Sequence, residues 1–184
     1  MKMQNSPTSW ALIKADLYRH TGRYSFPLLI KNLLNSNRSF KYTFWFRCLR
    51  SESLFVRTFA RFMHHQLSVK YSIKIPKETE VGAGLYLGHA SSIIIHPTAK
   101  IGKNCNLSQF TTIGSNHGKA ATIGDNVYIG PNVCIVENVI VDDSAIIGAG
   151  AVVVKNISRG YTAVGNPARQ FPTKFSACYI QNPV

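Results

Sequence analysis

The chain has 184 residues, of which 45% are apolar, and a formal net charge of +13. That length and apolar content suit one or two globular domains with a hydrophobic core. Charges break every apolar stretch well before the ~18 residues that a membrane-spanning helix needs, and the start of the chain has no apolar signal-peptide core. We therefore expect a cytoplasmic protein. Its scattered cysteines should be reduced thiols that pack in the core and form neither a disulfide framework nor a zinc site: Cys48, Cys105, Cys134 and Cys178.

Residues 1–74 hold most of the positive charge, with 13 Lys or Arg against 2 Asp or Glu, and thirteen of the twenty aromatic residues. Helix signals predict three or four helices there. The predicted segments are Trp10 to His20 ending before Gly22, Pro27 to Leu34 ending in an Asn-Ser-Asn turn, and roughly Phe40 to Val69.

The last of these segments places Phe55, Phe59, Phe62 and Met63 on one helix face. This face could pack against the rest of the protein or a sister subunit. Because the segment is also basic, it could instead lie on an anionic membrane. Nucleic acid fits less well, since no recognised binding motif accompanies the charge.

The rest of the chain is dominated by an apolar residue at every sixth position, a period that neither an α-helix nor an ordinary alternating strand produces. A β-helix with three flat faces of six residues per coil does produce it. The anchors are Ile75, Val81, Leu87, Ile93, Ile95, Ile101, Leu107, Ile113, Ile123, Ile129, Ile135, Val141, Ile147 and Val153.

Two interruptions of this period each carry a histidine. The spacing slips by two residues between Ile93 and Ile95, just after His89, and four extra residues enter a loop around His117. Regular coils need no histidine, so these irregular corners are the places where chemistry is expected. Each side chain could reach a groove between neighbouring subunits.

The six-residue pattern resembles that of the hexapeptide-repeat acyltransferases. The stretch from Gly84 to Ile95, with its two-residue slip, looks like the active-site coil of serine acetyltransferases, and Gly165-Asn166-Pro167-Ala168-Arg169 resembles the closing motif of many such enzymes. The resemblance implies a mainly β fold, a left-handed parallel β-helix with an N-terminal α-helical segment. The expected parts are a basic helical segment (1–74), a β-helix domain (75–169) and a C-terminal tail (170–184). It also implies a homotrimer, acetyl coenzyme A as the acyl donor, no metal, and His89 as the general base.

Some acceptor-site positions of that family differ here. Gly88 and Lys74 stand where the family has Asp residues near its histidine, and Ala120 and Ala121 replace an Arg-His pair that grips the amino acid. Because the carboxylate clamp is missing, the chain is predicted to be closest to capsular and exopolysaccharide O-acetyltransferases, with a sugar hydroxyl as acceptor. Serine O-acetyltransferase is the alternative. Asp16 matches a family residue that contacts the acceptor.

The resemblance also suggests residues around the catalytic base. His117 belongs to the remodelled acceptor loop, and Glu78, Glu80 or a backbone carbonyl could orient His89. The coenzyme A candidates are Gly130, Gly148, Ala149 and Gly150 for the pantetheine arm, and Lys155 and Arg169 for the phosphates. Two other classes are less favoured: a zinc enzyme of the γ-carbonic anhydrase type using His89, His96 and His117, and a noncatalytic scaffold.

Overall fold

A computed structural model of the protein describes residues 7–173 and 179–184. Its first part consists of four helices, which are α1 (Ser9–Thr21), α2 (Phe26–Leu34), α3 (Arg38–Cys48) and α4 (Leu54–Tyr71). Each helix begins at a polar N-cap whose side chain accepts a hydrogen bond from a backbone N–H of the first turn: Thr8, Ser25, Asn37 and Ser53.

The segment predicted from Phe40 to Val69 is divided into α3 and α4. Ser53 caps α4 through a hydrogen bond from the N–H of Val56 to its Oγ, so that the second helix starts afresh after a short turn. The first helix ends as predicted, with Gly22 in the left-handed conformation at φ 65°.

Fourteen short strands follow in the described residues. They are β1 (Glu80–Val81), β2 (Tyr86–Leu87), β3 (Ile94–Ile95), β4 (Lys100–Ile101), β5 (Asn106–Leu107), β6 (Thr112–Gly114), β7 (Thr122–Ile123), β8 (Tyr128–Ile129), β9 (Cys134–Val136), β10 (Ile140–Val141), β11 (Ile146–Ile147), β12 (Val152–Val153), β13 (Tyr161–Val164) and β14 (Arg169–Pro172).

The strands form three sheets in which successive coils stack in parallel. Sheet 1 is β1-β4-β7-β10, sheet 2 is β2-β5-β8-β11-β13-β14, and sheet 3 is β3-β6-β9-β12. Only β14 runs antiparallel to its neighbour, β13. The protein is therefore a mainly β, parallel β-helix with a few N-terminal helices, as predicted. Residues 170–172, at the start of the predicted tail, lie in β14 and belong to sheet 2.

The strand register shows how the two interruptions fit into the coils. Glu80 pairs with Lys100 twenty residues later, Lys100 pairs with Thr122 twenty-two residues later, and Thr122 pairs with Ile140 eighteen residues later. Eighteen residues make a regular coil of three six-residue faces. The first coil thus contains the two-residue slip and the second contains the four-residue insertion.

One hydrophobic core runs from the helices through the coils. All fourteen anchors of the six-residue pattern are buried, and twelve of them are the inward-pointing second residues of strands β1 to β12. Helix α3 lies between α1 and α4, and both α1 and α3 contact β2 at the head of sheet 2. The helices thereby cover the first coil, the coil that carries His89.

Within the described ranges no helix is both long and apolar enough to cross a bilayer. Cys48, Cys105 and Cys134 are free thiols. The fourth cysteine, Cys178, lies outside the described residues.

Candidate active site at the coil corners

His89 lies at the corner where the first coil turns from sheet 2 to sheet 3, and its side chain is exposed. The backbone there is unusual. His89, Ala90 and Ser92 all have positive φ, at 57°, 38° and 52°. Side-chain-bearing residues seldom adopt this conformation. The same corner of the next two coils has one such residue each, Phe110 and Asn132, so the cluster of three distinguishes the corner of His89. The two-residue slip therefore builds a strained corner that presents an imidazole to solvent.

The corners below His89 stack in register to form a column that we call the sheet 2–sheet 3 corner. Backbone hydrogen bonds join it coil by coil: Phe110 N–H to Ser91 O at 3.2 Å, Asn132 N–H to Gln109 O at 3.0 Å, and Gly150 N–H to Pro131 O at 2.9 Å. Neighbouring strands are ~4.8 Å apart, so the corner of the fourth coil lies ~14 Å below His89.

Four of the predicted coenzyme A residues lie in this column. Gly130 is in the third coil, and Gly148, Ala149 and Gly150 are in the fourth. A Cβ at Gly130 would lie 2.9 Å from the backbone nitrogen of Ala149, so coil stacking alone requires that glycine. Gly150 differs, because nothing lies within 4 Å of a Cβ there and its φ is 71°. The lower end of the column is therefore open around Ala149 and Gly150, which are exposed.

The two predicted phosphate-binding residues lie apart. Arg169 begins β14, just after a turn whose Ala168 N–H donates to Val152 O at 2.8 Å, so it lies beside the lower end of the column. Lys155 follows β12 at the other edge of sheet 3. The structure thus brings Arg169 close to the column and leaves Lys155 at a different corner.

The loop of His117 connects sheet 3 to sheet 1 and is fixed from both sides. Above it, the hydroxyl of Thr98 donates to Gly118 O at 3.1 Å and accepts from Ala120 N–H at 3.0 Å. Below it, the Glu137 carboxylate accepts from the Ser115 hydroxyl at 2.8 Å and the Asn116 N–H at 3.1 Å. The hydrogen bond from the Asn116 N–H, and then that from the Ser115 hydroxyl, lower the pKa of Glu137.

His89 and His117 therefore occupy opposite edges of sheet 3 within one chain. The sheet is spanned by three to four extended residues between its corners, which corresponds to ~10–13 Å. A single chain does not bring the two histidines together. Ala120 and Ala121, at the positions of the missing clamp, are buried, whereas His117 and Lys119 are exposed.

Asp16, predicted to contact the acceptor, is fully buried beneath the first coil. Its two oxygens accept from Arg47 Nε at 2.8 Å and Nη2 at 3.1 Å, and Oδ1 also accepts from the N–H groups of Gly84 and Leu85 at 3.0 Å. Burial raises the pKa of Asp16, while the Arg47 guanidinium opposes the rise. These contacts lie inside the protein, so the geometry gives no support to an acceptor contact and assigns Asp16 to holding the turn before β2.

The carboxylates suggested as partners of His89 are engaged elsewhere. Glu78 pairs with Lys77 at 3.8 Å, and Glu80 pairs with Lys100 at 3.3 Å. Glu80 belongs to β1 in sheet 1, which faces away from the sheet 2–sheet 3 corner. In the part of the chain that the structure describes, no group of three or more His, Cys, Asp or Glu residues could hold a metal ion.

Gln109 is a candidate site residue that the sequence analysis did not identify. It occupies the position of His89 one coil lower, since Leu87 and Leu107 are in register. Its Oε1 is buried and has no hydrogen-bond partner among the described residues. The signal was present in the sequence, because the first coil has twenty residues and Gln109 follows His89 by twenty.

Comparison with known proteins agrees with this architecture. Residues 120–155 match the family described as "Bacterial transferase hexapeptide (six repeats)". The chain is similar to serine acetyltransferase of Escherichia coli K12, with 31% identity over 151 residues that cover 80% of this chain and 54% of that protein. The chain spans about half the length, or less, of the curated relatives that it matches.

Solved structures show the same fold. Soybean serine acetyltransferase complexed with serine superposes with a TM-score of 0.74 at 28% identity, over 90% of this chain and 70% of that one. Serine acetyltransferase from Brucella abortus in complex with coenzyme A has a TM-score of 0.70 at 22% identity, over 92% and 70%. At that identity the second match shows the fold alone.

These relatives correct one prediction. A sugar acceptor in capsule or exopolysaccharide biosynthesis is wrong as the main interpretation, because the relatives and solved structures are consistently serine acetyltransferases. That prediction relied on the missing Arg-His pair of the acceptor loop, and the absence of this pair does not outweigh the similarity to serine acetyltransferases over 80% of the chain. In its repeat, its parallel β-helix and its sequence the chain is similar to hexapeptide-repeat β-helix acetyltransferases, and the comparisons give no support to a particular closeness to the capsular enzymes.

Proposed function

We propose that the chain transfers the acetyl group of acetyl coenzyme A to the hydroxyl of serine. The observation that carries this proposal is the exposed corner of His89, where three residues have positive φ, at the head of the stacked sheet 2–sheet 3 corner, in a fold shared with serine acetyltransferases. The E. coli serine acetyltransferase is similar over 80% of this chain.

The proposed reaction is a direct transfer with His89 as the general base. A neutral imidazole removes the proton of the serine hydroxyl as its oxygen attacks the thioester carbonyl. The tetrahedral intermediate collapses with loss of coenzyme A thiolate, which takes the proton from the imidazolium. Such a base contributes ~10²–10⁴ to the rate. The reaction needs neither a covalent acyl-enzyme nor a metal.

The sheet 2–sheet 3 corner can accommodate acetyl coenzyme A, the proposed acetyl donor. An extended pantetheine arm can follow the ~14 Å from the fourth coil to His89, with Gly148, Ala149 and Gly150 offering backbone contacts. Arg169 lies beside the lower end, where its guanidinium can pair with a phosphate. Gln109 lies along the same path, one coil below His89, and its amide group can hydrogen-bond to the arm or the acceptor.

We also propose that the site is completed by a neighbouring copy in a homotrimer. His89 and the His117 loop lie at opposite edges of sheet 3, so a groove between two chains is the arrangement that brings them together. In that groove the exposed Lys119 and His117 supply cationic or hydrogen-bonding groups for a carboxylate, in place of the buried Ala120 and Ala121. Light scattering should give three times the 20.4 kDa mass of one chain.

Thiol release tests the acceptor. Purified protein is mixed with acetyl coenzyme A and either serine or alanine, which is the same amino acid without the hydroxyl, and the product mass is recorded. We expect thiol release that depends on serine and a product heavier by one acetyl group. Equal release with serine and alanine, or no acetylated serine, would show that serine is not the acceptor.

A further inference from the structure

Helix α4 exposes an apolar stripe on one face. Phe55 is 82% exposed, Phe59 48%, Phe62 58% and Val69 69%. Their spacing keeps them on one side of the helix, where the exposed Gln66 separates Val69 from the three phenylalanines. At 1.5 Å per residue the phenylalanine stripe is ~11 Å long. The opposite side of α4 is buried through Ala60, Leu67 and Tyr71. The stripe is thus an outward face that nothing in the described chain covers.

The apolar surface continues from α4 onto α3. The ring of Phe59 meets the ring of Trp45 edge to face, with centroids 5.3 Å apart, and Trp45 meets Phe44 in the same way at 5.0 Å. Trp45 and Phe44 are half-buried. We call Phe44, Trp45 and the α4 stripe together the aromatic face. A contiguous exposed apolar surface of this kind marks an interaction site.

The charge around this face is almost entirely positive. Between residues 7 and 72 the exposed acidic side chain is Glu52, two residues before α4, while the other acid, Asp16, is buried. Helix α4 itself adds the exposed Arg61 and Lys70 and has no acidic residue. The exposed basic residues of this segment are Lys14, Arg23, Lys31, Arg38, Arg50, Arg61 and Lys70.

We propose that the aromatic face lies on an anionic lipid surface, with the phenyl rings in the boundary between headgroups and acyl chains. A second copy of the chain is a poorer occupant, because pairing two α4 helices would bring Arg61 and Lys70 of both copies together with no acid on either helix. An anionic lipid surface can bury the apolar stripe at the acyl-chain boundary and pair its negative headgroups with the basic side chains. This inference is independent of the identity of the acetyl acceptor.

Vesicle co-sedimentation tests the proposal with the full chain. The protein should pellet with vesicles of phosphatidylglycerol and phosphatidylcholine at low salt, less at high salt, and little with phosphatidylcholine alone. Phe55→Ser with Phe62→Ser, and separately Arg61→Glu with Lys70→Glu, should each lower vesicle binding at least ~tenfold. Both pairs are exposed, so circular dichroism should show unchanged folding.

Two control variants distinguish lipid binding by the aromatic face from nonspecific binding by other exposed aromatic or basic residues. Phe171→Ser removes an aromatic that is 49% exposed in β14, and Lys77→Glu with Lys103→Glu reverses two exposed charges on the coils. These controls should bind as the unaltered protein does. The proposal is overturned if the controls lose as much binding, if phosphatidylcholine alone pellets the protein equally, or if Phe55→Ser with Phe62→Ser lowers the molar mass without lipid, which would make the face a contact between copies.

Discussion

Replacing Arg47 by Met should strongly destabilise the protein, because this side chain joins the helices to the first coil. Arg47 is 2% exposed. Besides its two hydrogen bonds to Asp16, it donates to Val81 O at 2.7 Å and Gly82 O at 2.6 Å. Met has a similar length and fills much of the volume, but it cannot donate. The substitution therefore isolates the polar role of Arg47.

The expected loss of unfolding free energy follows from the buried groups that Arg47→Met leaves without hydrogen-bond partners. Asp16 would be a buried carboxylate without its cation, and breaking one partner of a buried ion pair costs ~3–5 kcal/mol. Two backbone carbonyls lose their donors as well, so the loss should lie toward the upper end of that range. Native domains are stable by ~5–15 kcal/mol. The deficit should shrink as pH falls, since a protonated Asp16 needs no cation.

Urea unfolding followed by circular dichroism, at one fixed protein concentration, measures this loss. Arg50→Met is the matched control, because Arg50 is exposed and donates only to the carbonyls of Lys77 and Thr79. It should cost less than ~1 kcal/mol. Removing both charges of the buried pair, with Asp16→Leu and Arg47→Met together, should recover part of the loss. A loss below ~1 kcal/mol for Arg47→Met would show that the buried pair of Arg47 and Asp16 does not hold the helices to the first coil.

Three further predictions concern packing, pH and the acceptor loop. Gly102→Ala would place a Cβ 2.5 Å from the backbone of Gly124 and should cost ~1–3 kcal/mol in unfolding free energy, whereas Gly114→Ala, with a Cβ 3.9 Å from its nearest neighbour, should cost less than ~1 kcal/mol. Burial lowers the pKa of His64 to about 4, so the unfolded chain takes up a proton first and stability falls as pH drops from about 6.5 to 4. His64→Phe should flatten that part of a pH series of unfolding free energies by ~1–2 kcal/mol, and an unchanged slope would contradict the burial of this imidazole. His117→Ala should raise KM for serine with kcat within ~threefold of the unaltered enzyme, and an unchanged KM would remove His117 from the acceptor site.

The repeat could be predicted from the sequence because the spacing of the apolar residues within each coil gives the length of its faces. Val81, Leu87 and the other anchors recur every six residues and are all buried. The departures from the period predicted the coil lengths correctly, since the first coil has two residues more than a regular one and the second has four more. Periodicity carries this information locally, so no long-range contact had to be known.

The contacts between distant segments could not be predicted in the same way. Asp16 and Arg47 are 31 residues apart, and neither position has a local pattern that marks it as half of a buried pair. Asp16 was consequently interpreted as an acceptor ligand. The exposure of Phe55 and Phe62 was equally undetermined, because an amphipathic pattern shows that a helix has an apolar face without showing what covers it.

The most direct test of the account is the turnover of His89→Ala with acetyl coenzyme A and serine. The side chain is exposed, so the variant should fold and bind coenzyme A as before, while kcat falls at least ~100-fold for loss of a general base. His65→Ala, which removes an exposed histidine on α4, should keep the activity of the unaltered enzyme. If His89→Ala retains more than about a tenth of that turnover, His89 is not the general base and the strained corner is not the catalytic centre.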